Sequence, residues 1–361
     1  MTGVTIQQKN TDRKQMLEAF DETKTGVKGL LDSGLDKIPE IFVRPSEELS
    51  EELTYKYPKI EVPVIDLSAG RIQVVEQVRS ASEKWGFFQV VNHGIPSEVL
   101  DRAINGVREF NEGDVEEKRK YYSRDDRRNV KFSTNYDLYS SKTANWRDSL
   151  RFSFPDQIRS EELPLSCRES TVEYSNHVAV LGNNLLELLS EALGLKPDHL
   201  NKLECAKGRR MSMHYYPACP EPELTLGSTK HTDTAFLTIL LQNHVNGLQV
   251  FYEDQWIKVE PYPGALIANI GNFLQVLTPL VSNGKFRSVM HRVVANREGP
   301  RISAAYFLSG PYEENKVYGP IEELISEESP AIYREVHLRD YIQKFLSVGL
   351  DENLGLDFWK I

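Results

Sequence analysis

His231-Thr-Asp233, running into Thr234-Ala-Phe-Leu-Thr-Ile-Leu-Leu-Gln242, is the stretch on which the fold turns. The β-branched, aromatic and aliphatic run after Asp233 reads as a buried strand. In a strand, successive side chains point to opposite faces, so the strand reading projects His231 and Asp233 from one face. One imidazole nitrogen and one carboxylate oxygen then reach a single cation. A second histidine, His291, lies in Ser-Val-Met-His-Arg-Val-Val, another strand-like run. Two histidines and one carboxylate occupy one face of an octahedron and leave three positions for exogenous ligands. Arg301-Ile-Ser303 follows, with its two polar side chains again two apart.

Composition bounds what else the chain can be. With 361 residues, 40% of them hydrophobic, it can bury one large core or two smaller ones. No segment approaches the eighteen or so uninterrupted apolar residues of a membrane span. The formal charge of −10 argues against a nucleic-acid-binding surface. The opening Met1-Thr-Gly-Val-Thr-Ile-Gln-Gln-Lys-Asn10 has neither an apolar signal core nor an Arg-rich amphipathic pattern. Cys167, Cys205 and Cys219 lack zinc-type spacing and cannot all pair. The expectation is a cytoplasmic monomer that acts on a small molecule, with no nucleic-acid or membrane partner.

Four regions are expected. Residues 1–60 are polar and punctuated by Pro39, Pro45 and Pro58, reading as a loosely attached leading segment with one or two short helices. Residues 61–205 mix helix and strand. Val74, Val78, Ala81 and Trp85 mark one helical face closed by Gly86, Phe87–Val91 a strand, and Pro96-Ser97 the start of a second helix. Arg124–Ser141 is turn-rich and suits a surface excursion over a pocket, and Arg151-Phe-Ser-Phe154 alternates in strand fashion. Tyr174, Val178, Leu181, Leu185, Leu188 and Ala192 keep helical spacing up to Gly194. Residues 206–312 read as short strands between turns, which implies a sandwich or barrel. Residues 313–361 form a loop-like acidic tail and a final helix carrying Leu338, Tyr341 and Phe345.

Seven motifs in order resemble the plant 2-oxoglutarate- and Fe(II)-dependent dioxygenases. Val62-Pro-Val-Ile-Asp66 and Trp85-Gly-Phe-Phe-Gln-Val-Val-Asn-His-Gly94 are similar to that family's N-terminal region. Tyr215-Tyr-Pro-Ala-Cys-Pro220, His231-Thr-Asp233, Asn269-Ile-Gly271, His291-Arg-Val293 and Arg301-Ile-Ser303 resemble its catalytic core. Ala19-Phe-Asp-Glu-Thr-Lys-Thr-Gly-Val-Lys-Gly-Leu30 and Asn145-Trp-Arg-Asp148 further resemble the aminocyclopropane-carboxylate-oxidase homologues, a subgroup associated with specialised metabolites. The resemblance implies a mainly β fold with flanking helices, a double-stranded β-helix or jelly-roll core behind a mixed α/β N-terminal region. It implies Fe(II) on His231, Asp233 and His291, and 2-oxoglutarate held by Arg301 and Ser303 with help from Tyr216. O2 is the oxidant and ascorbate the expected reductant. The implied reaction hydroxylates or desaturates a small aromatic or polycyclic metabolite, with succinate and CO2 as co-products.

Physical reasons stand beside the resemblance. A planar guanidinium matches a carboxylate bidentately, and neighbouring hydroxyls satisfy its remaining lone pairs. Phe132, Tyr136, Phe236, Phe273 and Phe307 are candidate walls of an aromatic substrate pocket. The chain departs from the family at His214, where asparagine is usual, at Gly271-Asn272, where Gly-Asp is usual, and at Met290, where an acid is usual. The connection after Leu277 into Ser282–Phe286 reads as longer than the family's. The alternatives are an ascorbate-dependent oxidase of the aminocyclopropane-carboxylate type, a ligand-binding protein on the same fold, and a zinc hydrolase.

Overall fold

The computed structural model describes residues 2–53, 60–154, 159–277, 286–311, 316–327, 330–347 and 356–361. The connection read as longer than usual falls at 278–285, outside the described residues. The chain opens with helices α1 (Thr2–Thr23), α2 (Gly26–Asp32) and α3 (Ser46–Leu53). The leading segment is therefore one long helix and two short ones, and it is not loosely attached. Leu17, Phe20, Val27 and Phe42 are buried in a small core with Trp146. The Arg124 guanidinium forks onto Asp21 with Nε–Oδ2 at 2.8 Å and Nη2–Oδ1 at 2.6 Å. Asp148 accepts from the Val27 and Lys28 amides at 2.8 and 2.9 Å and so closes the first turn of α2. Gly26 makes that approach possible, because a Cβ there would lie 2.3 Å from the Asp148 carboxylate and its φ is +72°. These partners lie a hundred or more residues downstream, beyond the range of any local pattern.

The chain continues as β1 (Val64–Asp66), α4 (Arg71–Lys84), β2 (Phe87–Val91), α5 (Ser97–Glu112), α6 (Val115–Tyr121), β3 (Val130–Thr134) and β4 (Asp148–Phe154). Helices α7 (Arg168–Ala192) and α8 (His199–Lys202) lead into β5 (Gly208–Tyr216), β6 (Leu226–His231), β7 (Leu237–Gln242), β8 (Leu248–Tyr252), β9 (Gln255–Lys258) and β10 (Leu266–Ile270). Then come α9 (Asn272–Leu277), β11 (His291–Val294), β12 (Arg301–Ser309), β13 (Val317–Tyr318), β14 (Val336–His337) and α10 (Leu338–Leu346). The helical stripe on α7 is buried from Tyr174 to Ala192, and Gly194 ends it at φ +79°. Among the described residues no helix is long and apolar enough to cross a membrane.

Two sheets face each other as a jelly roll. The larger has the order β1-β2-β10-β7-β12-β5-β4-β3, and the smaller β6-β11-β8-β9. Strand alternation divides the larger sheet into two unlike faces. Ile302, Ala304, Tyr306 and Leu308 of β12 join Met211, Met213, Leu150 and Phe152 in the main core, packed with α5 and α7. The opposite face carries Arg301, Ser303, Ala305 and Phe307 of β12, in register with Tyr216, His214, Ser212 and Arg210 of β5. Near one end the two sheets share apolar contacts, where Tyr216 and Ile267 meet Leu248, Val250 and Val293. Elsewhere this inner face is polar, and it holds the site.

Candidate metal centre

His231 is the last residue of β6 and stands directly opposite His291, the first residue of β11. Asp233 lies two residues past the end of β6, in the turn before β7, so the expected single strand through His231 and Asp233 is corrected to a strand end and a turn. The turn still delivers the carboxylate. One ligand atom from each of His231, Asp233 and His291 lies within 4.8 Å of the other two. Asp233 Oδ1 is 3.9 Å from His231 Nε2 and 3.7 Å from His291 Nε2.

Every other polar atom of the three is already engaged, which fixes what each can offer. His231 Nδ1 lies 2.7 Å from the Thr229 carbonyl and His291 Nδ1 lies 3.2 Å from that of Val289. A carbonyl only accepts, so both rings carry the proton on Nδ1 and turn a bare Nε2 to the centre. Asp233 Oδ2 accepts from Thr238 Oγ1 at 2.7 Å and Asn269 Nδ2 at 2.8 Å, leaving Oδ1 for a cation. Burial, with the His291 ring beside it, pushes the His231 pKa down. Burial alone would raise the Asp233 pKa, but both imidazoles and the Asn269 and Thr238 hydrogen bonds outweigh it and hold the carboxyl below its ordinary value. Neutral imidazoles and an ionised carboxylate are the protonation states a metal needs.

Asn145-Trp-Arg-Asp148 braces this centre from the N-terminal region. Asn145 Oδ1 accepts from Thr229 N and Oγ1 at 2.8 and 2.7 Å, steadying the residue whose carbonyl orients His231. Trp146 packs edge-on to Phe42, Arg147 donates to Ser228 Oγ at 3.1 Å, and Asp148 caps α2. Asn272, where an acid is usual, donates to Thr232 Oγ1 at 3.0 Å and to the Tyr341 hydroxyl at 2.6 Å, tying the turn between the ligands to α10.

Arg301 is 2% exposed, with its guanidinium carbon 4.9 Å from the centre of the Tyr216 ring. It donates to Gln242 Oε1 at 2.7 Å and to Ser303 Oγ at 3.4 Å, and its Nε is buried with no hydrogen-bond partner. Burial lowers its pKa, and the charged neighbour facing it is Arg147, another cation. Among the described residues no carboxylate is paired with this guanidinium. A buried positive charge with an unused N–H is costly unless an anion completes it. The donor set therefore fits both a divalent transition metal and an oxo-diacid beside it.

The five aromatic pocket candidates go to different places, and for Phe132 and Phe307 strand parity decides. Phe132 pairs with Leu150 on the core face and packs on Phe110 at 5.5 Å, away from the metal centre. Phe236 and Phe273 are 0% and 1% exposed and lie 5.4 Å apart in the same core, both against Tyr318. Phe307 stands on the inner face, in line with Ser303 and Arg301. Tyr136 lies beneath the Arg151 guanidinium at 5.2 Å. His214 is outside the ligand set: its Nδ1 is 2.8 Å from Ser149 Oγ. Burial, with Arg147, Arg151, Arg301 and His231 around it, holds the His214 pKa well below the ordinary value. Sequence reasoning passed over Thr238, Gln242, Arg147 and Arg151 as site residues. All four share the inner face, and only the knowledge of which parity looks inward could have singled them out.

Comparison with known proteins agrees with this geometry. Residues 208–310 match the family model of the 2OG-Fe(II) oxygenase superfamily, and residues 62–171 match that of the non-haem dioxygenase in morphine synthesis N-terminal region. The chain is 49% identical over 358 residues to 1-aminocyclopropane-1-carboxylate oxidase homolog 1 of Arabidopsis thaliana, covering 97% of each. It is 47% identical over 359 residues to deacetoxyvindoline 4-hydroxylase of Catharanthus roseus, covering 96% of this chain and 88% of the hydroxylase. The crystal structure of JOX2 in complex with 2OG, Fe and JA superposes with a TM-score of 0.76 at 30% identity, covering 90% of this chain and 94% of that one. With its paired histidines, its carboxylate and its buried arginine, this chain belongs to the 2OG-Fe(II) oxygenase superfamily and is a 2-oxoglutarate-dependent dioxygenase.

Proposed function

We propose that His231, Asp233 and His291 hold the Fe(II), and that Arg301, Ser303 and Tyr216 seat the distal carboxylate of 2-oxoglutarate. The enzyme then hydroxylates or desaturates a small aromatic or polycyclic specialised metabolite. The observation that carries the assignment is the convergence of the three ligand atoms within 4.8 Å, each with its second polar atom committed elsewhere. The bound metal, with 2-oxoglutarate and O2, supplies the oxidising power, releasing succinate and CO2 as a substrate C–H bond is oxidised. The chain's own residues do the rest. Thr238 and Asn269 aim Asp233, while Thr229 and Val289 fix the imidazole tautomers. Gln242, Ser303 and the Tyr216 ring hold the Arg301 fork in one plane. Phe307 supplies an apolar surface on the same face.

A role in plant specialised metabolism is supported by the likeness to the Catharanthus hydroxylase. A cytoplasmic setting is supported by Cys167, Cys205 and Cys219, all free and buried. The test is incubation with Fe(II), ascorbate, O2, 2-oxoglutarate and a metabolite library, with succinate and substrate loss followed by mass spectrometry. Equimolar succinate and oxidised product is the expected result. Ethylene release from aminocyclopropane carboxylate with no need for 2-oxoglutarate would replace the proposal, and activity that survives exchange of iron for zinc would favour hydrolysis.

A further inference from the structure

Six strands carry the inner face from the metal centre outward, and their registers place its side chains in rows. Nearest the metal, Asn269, Thr238, Phe307 and Arg210 stand abreast on β10, β7, β12 and β5. In the next row Ala305 of β12, Ser212 of β5, Arg151 of β4 and Lys131 of β3 are successive partners. Ala305 and Ser212 are small, so this row, next to the one that holds Thr238 and Asn269, offers a shallow floor that ends at a guanidinium. Ser212, His214 and Arg151 are each half-buried, whereas Met211, Met213, Leu150 and Phe152 on the other face are buried. Ala305 is buried, so the floor is open to a solute at its Ser212–Arg151 end.

Arg151 is poorly neutralised. Its Nη2 is buried without a hydrogen-bond partner. The charged groups around it are Arg147, Arg124 and Asp137, two cations and one acid, with the Tyr136 ring below. Asp137 is engaged by the Ser141 hydroxyl. Lys131 beside Arg151 is already paired with Asp126. Burial and Arg147 draw the Arg151 pKa down to about 10, which still leaves it charged at neutral pH. A charged fork at the end of a small-residue floor, in a chain of net charge −10, is the opposite of what overall composition would place there.

We propose that Arg151 binds a carboxylate of the prime substrate, so that the enzyme takes an organic acid and oxidises it at the end remote from the acid group. Two strand spacings, about 10 Å, separate Ala305 from Arg151, which suits one or two rings with an acid arm. Phe307 and the Tyr136-backed guanidinium flank the rings. The inference rests on the proposed placement of iron and 2-oxoglutarate.

The test titrates aromatic carboxylic acids of one to three rings, each paired with its methyl ester, into anaerobic protein loaded with Mn(II) and 2-oxoglutarate. In the wild type the best acids bind at least tenfold tighter than their esters. Arg151→Gln loses that preference while 2-oxoglutarate affinity stays within threefold, and Arg151→Lys retains part of it. Ser212→Asp, which sets an acid opposite Arg151, abolishes the preference with the arginine intact and so guards against a folding defect in Arg151→Gln. Equal binding of acids and esters, no acid bound at all, or a preference that survives Arg151→Gln would overturn the proposal. Failure of the wild type to bind 2-oxoglutarate, or to release succinate with iron and ascorbate, would instead remove the reading beneath it and this inference too.

Discussion

Replacing Arg301 by methionine isolates the charge from the packing. The unbranched thioether follows the arginine stem past Gly247, where a Cβ would already lie 2.9 Å from Arg301 Cδ. The guanidinium is 2% exposed and faces no carboxylate among the described residues, so the anion it awaits would form a buried ion pair. Removing one partner of such a pair costs about 3–5 kcal/mol, or roughly two to three and a half orders of magnitude in affinity for 2-oxoglutarate. The same change should not harm the ligand-free fold. What is lost there is one hydrogen bond to Gln242, a long one to Ser303 and the guanidinium contact with the Tyr216 ring, and what is gained is relief of a buried charge with an unpartnered Nε. At a 2-oxoglutarate concentration of about 100 times the wild-type Kd, binding stabilises the wild type by about 2.7 kcal/mol and the variant by about 0.4 kcal/mol or less. Calorimetric titration of the Mn(II)-loaded proteins, with melting curves in the presence and absence of 2-oxoglutarate, measures both quantities. An affinity loss below tenfold, or a ligand-free variant destabilised by more than about 2 kcal/mol, would show that Arg301 is a structural residue and refute the reasoning.

Asp233→Ala should abolish Fe(II) binding and all turnover, because two neutral imidazoles leave the cation under-coordinated and its charge uncompensated; iron stoichiometry after desalting reads this directly. Asn269→Leu leaves Asp233 Oδ2 with Thr238 alone and should weaken metal affinity by about 10- to 100-fold with little change in fold, measured by competition with a chromophoric chelator. Asp21→Asn should cost about 1.5–3 kcal/mol by breaking the fork from Arg124 and the hydrogen bonds from Tyr122 and Tyr139, and it should expose α1 to limited proteolysis. Burial raises the Asp21 pKa, but these partners outweigh it and hold the carboxyl below its ordinary 3.8. A depressed carboxylate contributes stability above its unfolded pKa and loses it as pH falls through the folded one. The wild-type advantage over Asp21→Asn should therefore be full at neutral pH and fade below about pH 3.8, as paired melting curves would show.

Much of the site was legible because its chemistry is local in sequence. His231 and Asp233 sit two apart, as do Arg301 and Ser303, so each pair reads as a unit; strand spacing brings Arg301 and Ser303 to one side, whereas a turn delivers Asp233. The strand that carries His231 was not legible. Leu226-Gly-Ser-Thr-Lys-His231 has one apolar residue, and it is a strand because its backbone pairs with β11 and because Asn145 grips Thr229. The leading segment misled for a similar reason, since Leu17 and Phe20 find their cover in Trp146 and Phe42 rather than in each other. Phe132, Phe236 and Phe273 show the limit of composition: large rings suit a pocket or a core equally, and strand register sent Phe132 to the core while the turn before β7 and the helix α9 put Phe236 and Phe273 there.

Parity also explains how one sheet serves two ends. Along β5 the residues Met211, Met213 and Tyr215 pack under α5 and α7, while Arg210, Ser212, His214 and Tyr216 between them face the second sheet. A shift of one residue in the pairing of β5 with β12 would bury the polar set and turn the methionines toward the metal. Apolar packing behind the sheet thus fixes the register that aims Arg301 and Arg151 inward, and a cavity cut on the core face should act on the chemistry at a distance. Met213→Ala, opposite Ala304 and Leu150 on the core face, should lower stability by about 2–5 kcal/mol and lower 2-oxoglutarate affinity only as far as the register loosens. If 2-oxoglutarate affinity fell as steeply as in the Arg301 variant while the fold kept its full stability, packing and chemistry would not be divided between the two faces, and the parity argument would fail.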